Sequence, residues 1–122
     1  MMNKKKIVLA EDNSTLSLLL KFRLEKEGYE LLMAQDGREA LEVIEKETPD
    51  LILTDIMMPF VSGLEVISHI RLKLDLDTPI IVFSSAGQEE MVIKAFNLGA
   101  NDFMGKPFSP NELIIRVKRL LS

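Results

Sequence analysis

Short apolar runs and helix-patterned segments alternate along this chain five times, with brief connections between them. The apolar runs are Ile7-Val8-Leu9-Ala10, a segment at about 29–34, Leu51-Ile52-Leu53-Thr54, Ile80-Ile81-Val82-Phe83 and a shorter one around Phe103-Met104. They are nearly all apolar rather than alternating, as strands buried on both faces must be. The intervening segments carry the apolar spacing of helices. Repeated strand–helix alternation with short links calls for right-handed crossovers and a parallel sheet covered by helices on both sides. The chain has 122 residues, enough for one domain that buries roughly two thirds of its unfolded surface.

The punctuation places each helix. Asn13 and Ser14 are capping candidates for the first, whose apolar positions are Leu16, Leu19, Leu20 and Leu24 and which stops at Gly28. Asp36-Gly37 turns the chain into the second, with Ala40, Leu41 and Ile44 inward and Pro49 beyond its end. After Pro59 and Gly63 comes the third, with Leu64, Ile67, Ile70 and Leu74 as core positions. The fourth spans about 88–98 and closes at Gly99. In the fifth, Ser109 reads as the N-cap, Pro110 as the first helical residue and Glu112 as the partner that completes a capping box. There is no linker and no low-complexity tract, so residues 1–122 read as a single domain with its core at about 5–121.

Composition narrows the function. A net charge of -4 argues against a nucleic-acid-binding surface on this domain. The absence of cysteine removes disulfides, thiolate metal sites and cysteine nucleophiles, and fits a reducing cytoplasm. No apolar run approaches the roughly 18 residues of a membrane span, and no signal-peptide pattern opens the chain. Lys4-Lys5-Lys6 reads as a solvated lead-in to the first strand, and the seven methionines as core filler. His69 has no second histidine with which to make a metal site.

The chemistry stands at the strand ends. Glu11-Asp12 follows the first strand, Asp55 closes the third, Ser84 ends the fourth, and Lys106-Pro107 follows the fifth. Singly these are an N-cap acid pair, a strand terminator, a buried hydroxyl and a surface charge. Together they occupy the C-terminal ends of parallel strands, where open α/β sheets bind their ligands. Three carboxylates brought that close repel one another unless a cation joins them. The pattern therefore reads as a Mg²⁺ site, with Mn²⁺ as the alternative ion, around a nucleophilic aspartate.

On Glu11-Asp12-Asn13, Asp55-Ile56-Met57-Met58-Pro59 with Gly63, Ser84, and Phe103-Met104-Gly105-Lys106-Pro107-Phe108, the chain resembles the receiver domain of two-component response regulators over about residues 5 to 121. The resemblance implies a doubly wound, flavodoxin-like (βα)₅ sheet with strand order 2-1-3-4-5. By the same resemblance Asp55 is the phosphoacceptor, fed by a sensor histidine kinase or phosphotransfer protein. Asp12, Glu11, Asp55 and the Met57 carbonyl are implied to hold the metal. Ser84 and Lys106 would meet the phosphoryl group, Lys106-Pro107 would be a cis peptide, and Phe103 the aromatic that swings inward with Ser84 on activation. The face of the fourth helix, fifth strand and fifth helix would then engage an effector domain or a second copy. Asp102, Glu112 and Arg116 resemble a charged dimer face there.

Some positions depart from the family pattern. Glu11 stands where aspartate is more frequent, Ser85 where alanine is usual, and Phe103 where tyrosine is common. Phe60 and Val61 enlarge the apolar loop after Asp55. Three other classes fit less well. An aspartyl-nucleophile phosphatase needs a second acid where Met57 stands, a pseudo-receiver would lack Asp12, Asp55 or Lys106, and a flavin or nucleotide binder of this topology would carry a glycine-rich loop after the first strand.

Overall fold

The structure is a computed structural model, and it describes residues 3–122. Five strands, β1 (Lys6–Ala10), β2 (Glu30–Ala34), β3 (Leu51–Asp55), β4 (Ile80–Ser84) and β5 (Asp102–Gly105), form one parallel sheet in the order β2-β1-β3-β4-β5. Between and after them run α1 (Ser14–Lys26), α2 (Gly37–Glu47), α3 (Gly63–Ser68), α4 (Glu89–Leu98) and α5 (Pro110–Leu121). This is the parallel sheet covered on both faces that the alternation predicts, in the doubly wound, flavodoxin-like order that the resemblance implies. Among the described residues no helix is long and apolar enough to cross a membrane.

Alternate residues of each strand serve opposite faces. Val8, Ile52 and Val82 pack beneath α2, α3 and α4, with Ala40, Ile44, Val66, Ile67 and Ala95. Ile7, Leu9, Leu53, Ile81 and Phe83 pack beneath α1 and α5, with Leu20, Leu24, Leu113 and Val117. Every residue of β3 and β4 is buried, whereas the edge strands β2 and β5 leave positions open.

Local expectations for α1 and α5 are corrected, and that for α3 is filled in. In α1 the buried stripe is Ser17, Leu20 and Leu24, and Leu19 is exposed. Leucines surround this helix, so only contact with the sheet decides which of them are inside. In α3 the expected Ile67 and Ile70 are buried with Val66, and the expected Leu64 and Leu74 are half-buried and pack against the same core. The helix widens into a π-type turn at His69–Lys73, marked by Leu74 N–H donating to the His69 carbonyl at 3.0 Å. At α5 the capping box is half-made. Ser109 Oγ accepts from Asn111 N–H at 3.2 Å, but Glu112 reaches forward to Arg116 at 2.8 Å instead of back.

At the N-terminal edge of the sheet Arg71 gathers three segments. Its guanidinium donates to the carbonyls of Gly99 (2.9 Å) and Leu76 (2.7 Å) and to Asn101 Oδ1 (3.1 Å). The same Asn101 oxygen accepts from Ile80 N–H at 2.8 Å. The start of β4, the end of α4 and the approach to β5 are thereby tied to the turn after α3, at the end of the sheet opposite the acids.

Candidate functional site

The register brings the chemistry to one edge. Ala10 faces Thr54 across β1 and β3, Asp55 faces Phe83 across β3 and β4, and Ser84 faces Gly105 across β4 and β5. The residues that follow these pairs leave the sheet together. Glu11 is anchored by its own N–H, which donates to the Ala34 carbonyl at 3.1 Å, and Lys106 by its N–H, which donates to the Ser84 carbonyl at 2.6 Å. The Lys106–Pro107 bond is cis.

Lys106 Nζ stands between two buried acids. It lies 2.7 Å from Glu11 Oε1, and 2.8 and 3.0 Å from the two oxygens of Asp55. Glu11 is 1% exposed and Asp55 6%. The second Glu11 oxygen accepts from Asn13 N–H at 3.1 Å, and Asn13 in turn caps α1 through Leu16 N–H at 3.0 Å. The acids therefore sit at the positive end of that helix. Asp12 is exposed, and an oxygen from each of Glu11, Asp12 and Asp55 lies within 4.8 Å of the others.

Burial, together with the neighbouring Glu11 carboxyl, pushes Asp55 up to about 7 despite Lys106. For Glu11, burial also works upward but is outweighed by hydrogen bonds from Asp55, Lys106 and Asn13 N–H, so its carboxyl is held below the usual range. Lys106 is desolvated too, yet the two carboxylates hold its ammonium above its ordinary value. Near neutral pH the Asp55 carboxyl is thus divided between its protonated and ionised forms, with the Lys106 ammonium between it and Glu11. Three hard carboxylate oxygens this close suit a small divalent cation, which would favour the ionised form of Asp55.

The remaining sequence candidates lie around this centre. Met57 is in the loop directly after Asp55, with its side chain 49% exposed. Ser84 is buried at the end of β4, whereas Ser85 is exposed with its N–H held by Gln88 Oε1 at 2.7 Å. Ser84, Phe103 and Lys106 line a cleft of about 360 Å³ beneath the start of α4. Phe103 lies outside the acid cluster, 40% exposed and edge-on to Phe96 at 6.0 Å. Arg116 is clasped within the chain by Asp102 (2.9 Å) and Glu112 (2.8 Å) and donates to the Phe103 carbonyl at 2.8 Å.

Two features escaped the sequence reading. Thr54 Oγ1 donates to the Asp55 carbonyl at 2.9 Å, fixing the turn out of β3; a lone hydroxyl before the acid in an apolar run was its only signal. Phe60 adopts φ 69°, a left-handed conformation that costs a residue with a Cβ about 1–2 kcal/mol. Gly63 is required nearby, because any Cβ there would press on the Asp55 carbonyl.

Known proteins resemble the chain in sequence and in fold. The family model described as the response regulator receiver domain matches residues 7–118. The alkaline phosphatase synthesis transcriptional regulatory protein PhoP of Bacillus subtilis (strain 168) is 41% identical over 117 residues, covering 96% of this chain and 48% of PhoP, so the chain spans about half that relative's length. A response regulator receiver domain protein (CheY-like) from Methanospirillum hungatei JF-1 superposes with TM-score 0.92 at 30% identity, over 98% of this chain and 94% of the other. The Francisella response regulator 1452 receiver domain gives TM-score 0.89 at 35% identity, over 97% of each chain. With the family model matching nearly the whole chain and the sheet order agreeing, the chain belongs to the response regulator receiver domain family of two-component systems.

Proposed function

We propose that residues 1–122 form one receiver domain that takes a phosphoryl group on Asp55 from a histidine kinase or phosphotransfer protein. The observation that carries this is the desolvated Asp55 carboxyl, held between Lys106 and two further acids. A carboxylate oxygen of Asp55 attacks phosphorus, the P–N bond to the donor histidine breaks, and the leaving imidazole nitrogen regains a proton from water. Transfer of this kind needs positioning and charge neutralisation more than covalent help. Lys106 pairs with the incoming oxygens, and Ser84 closes on them from the end of β4. Glu11, Asp12, Asp55 and the Met57 carbonyl would hold Mg²⁺ or Mn²⁺, which neutralises and orients the phosphoryl oxygens. The acyl phosphate adds about one negative charge to the site, and Ser84 and Lys106 respond to it.

The switch we infer runs through the cleft beneath α4. When Ser84 moves onto the phosphoryl group, Phe103 has room to leave Phe96 and turn inward. That motion changes the α4-β5-α5 face, where Ile93, Phe96, Phe103 and Ile115 are exposed. An effector domain, a separate partner or a second copy would read that face in the cytoplasm, with no direct nucleic-acid contact by this domain. The ligand biases such an element only through its different affinity for the two states.

Incubation with a panel of histidine kinases and Mg²⁺ tests the acceptor assignment: label should appear on Asp55, and label confined to another residue would refute it. Mg²⁺ alone should raise the thermal midpoint, by about 1.4 kcal/mol of stability at ten times its dissociation constant. An unchanged midpoint would remove the metal site. Hydrolysis should depend on Met57, which is apolar and cannot orient the attacking water. Met57→Asn should shorten the phosphoryl lifetime several-fold, since one oriented hydrogen bond is worth about 1 kcal/mol in the transition state. Decay at the parent's rate, measured after removal of the donor at fixed Mg²⁺, would show that water orientation here is not limiting.

A further inference from the structure

Phe60 is placed against the interest of the isolated domain. Its backbone is in the left-handed region at φ 69°, and its ring is 72% exposed. Met58 and Val61, on either side, turn into the core, but Phe60 joins neither of the two apolar cores formed by the described residues. Strained residues of this kind persist where the surroundings over-determine them, and they gather at functional sites.

The surroundings here are stiff. Ile56 N–H donates to the Phe83 carbonyl at 3.0 Å, Val61 N–H to the Pro59 carbonyl at 2.8 Å, and Gly63 N–H to the Ile56 carbonyl at 2.7 Å. Gly37 at the start of α2 lies so close to the Val61 carbonyl that a Cβ would collide with it. The Arg38 guanidinium sits over the Phe60 ring, 4.4 Å from its centroid. The backbone therefore directs the ring out into solvent, and the Arg38 contact favours one placement of it there. A rigid exposed aromatic next to a charged guanidinium has the character of an interface anchor.

We propose that Phe60, set by Arg38 and flanked by the half-exposed Met57, is a docking residue for the protein that delivers the phosphoryl group. This rests on Asp55 being the acceptor. Asp55 is 6% exposed, so a donor must reach it over the rim, and the loop that leaves Asp55 is part of that rim. A small phosphoryl donor reaches the carboxylate without touching the ring. A folded donor that brings a histidine to Asp55 must rest on the surrounding surface, and Met57 and Phe60 give it apolar area there. The partner surface is thus an apolar patch beside the donor histidine, able to cover a phenyl ring.

Two donors separate this role from the chemistry. The parent, Phe60→Gly and Arg38→Ala are labelled in parallel by acetyl phosphate and by the histidine kinase that labels the parent fastest in the panel. Phe60→Gly relieves the left-handed strain, so its thermal midpoint should equal or exceed the parent's. Its labelling by acetyl phosphate should match the parent's, while transfer from the kinase should slow about fivefold or more, the loss expected of an interface anchor. Arg38→Ala, which frees the ring, should fall between the two. Kinase transfer to Phe60→Gly at the parent's rate overturns the proposal. Equal losses with both donors also overturn it, because Phe60 would then act on the site itself. Failure of both donors to label Asp55 in the parent instead refutes the acceptor assignment.

Discussion

Asp55→Asn should melt at a higher temperature than the parent at pH 8 without metal, and should take no phosphoryl label. Asp55 is an acid whose folded-state value, about 7, lies above its ordinary 3.8. Such a group supports folding fully below about pH 4, where it is protonated in both states, and that support is lost as pH rises through 7. At pH 8 the parent therefore keeps a buried carboxylate beside Glu11 that asparagine would not have. The shift corresponds to a few kcal/mol, and sharing between two coupled acids reduces it to about 2 kcal/mol, or roughly 5–10 °C in a domain of this size. The difference between parent and variant should close as pH falls toward 4. Melting curves across that range measure it, and a gap that stays constant with pH would show that titration of Asp55 is not its origin. Mg²⁺ should narrow the gap from the other side, by stabilising the parent more than the variant.

Lys106→Ala should do the reverse. Glu11 and Asp55 would then face each other without their ammonium, and breaking a buried ion pair from one side costs about 3 kcal/mol or more. The loss should be greatest at pH 8 and shrink by pH 5, where Asp55 holds its proton and only one acid is left unpaired. Urea unfolding at the two pH values checks this, and an equal loss at both would trace the damage to packing of the lysine stem instead. Two substitutions within one hydrogen bond of each other thus move stability in opposite directions. A uniform account of buried polar groups predicts the same sign for both.

Much of the layout was legible because it rests on runs and ends. An unbroken Leu51-Ile52-Leu53 can only be a strand covered twice, and the acid that follows must then emerge at the sheet's edge. The same reasoning placed Glu11, Ser84 and Lys106 on that edge, where the register puts them. What stayed hidden depends on neighbours distant in the chain. Leu19 and Leu20 are chemically alike, and only the position of the sheet makes one exposed and the other buried. Glu112 could have turned back to its helix start, but Arg116 offered a charged partner one turn ahead. A left-handed phenylalanine gives no sign in sequence, since the residue type argues against that conformation. Nor does composition reveal that Asp55 titrates near neutral pH, which follows from burial and the neighbouring Glu11.

The knot of bonds around Arg71 gives the molecule two ends of different character. At one, the carbonyl of Gly99, Asn101 and the first amide of β4 are locked to the turn after α3. At the other, α4 begins at Gln88 without a side-chain cap and buries only Val92 and Ala95 along its length. A rod fixed at its base and loosely seated at its tip moves by tilting. The loosely seated tip is also the end that borders Ser84 and Lys106. A displacement at Ser84 or Lys106 would therefore meet least resistance at the tip of α4 and most at the end held by Arg71.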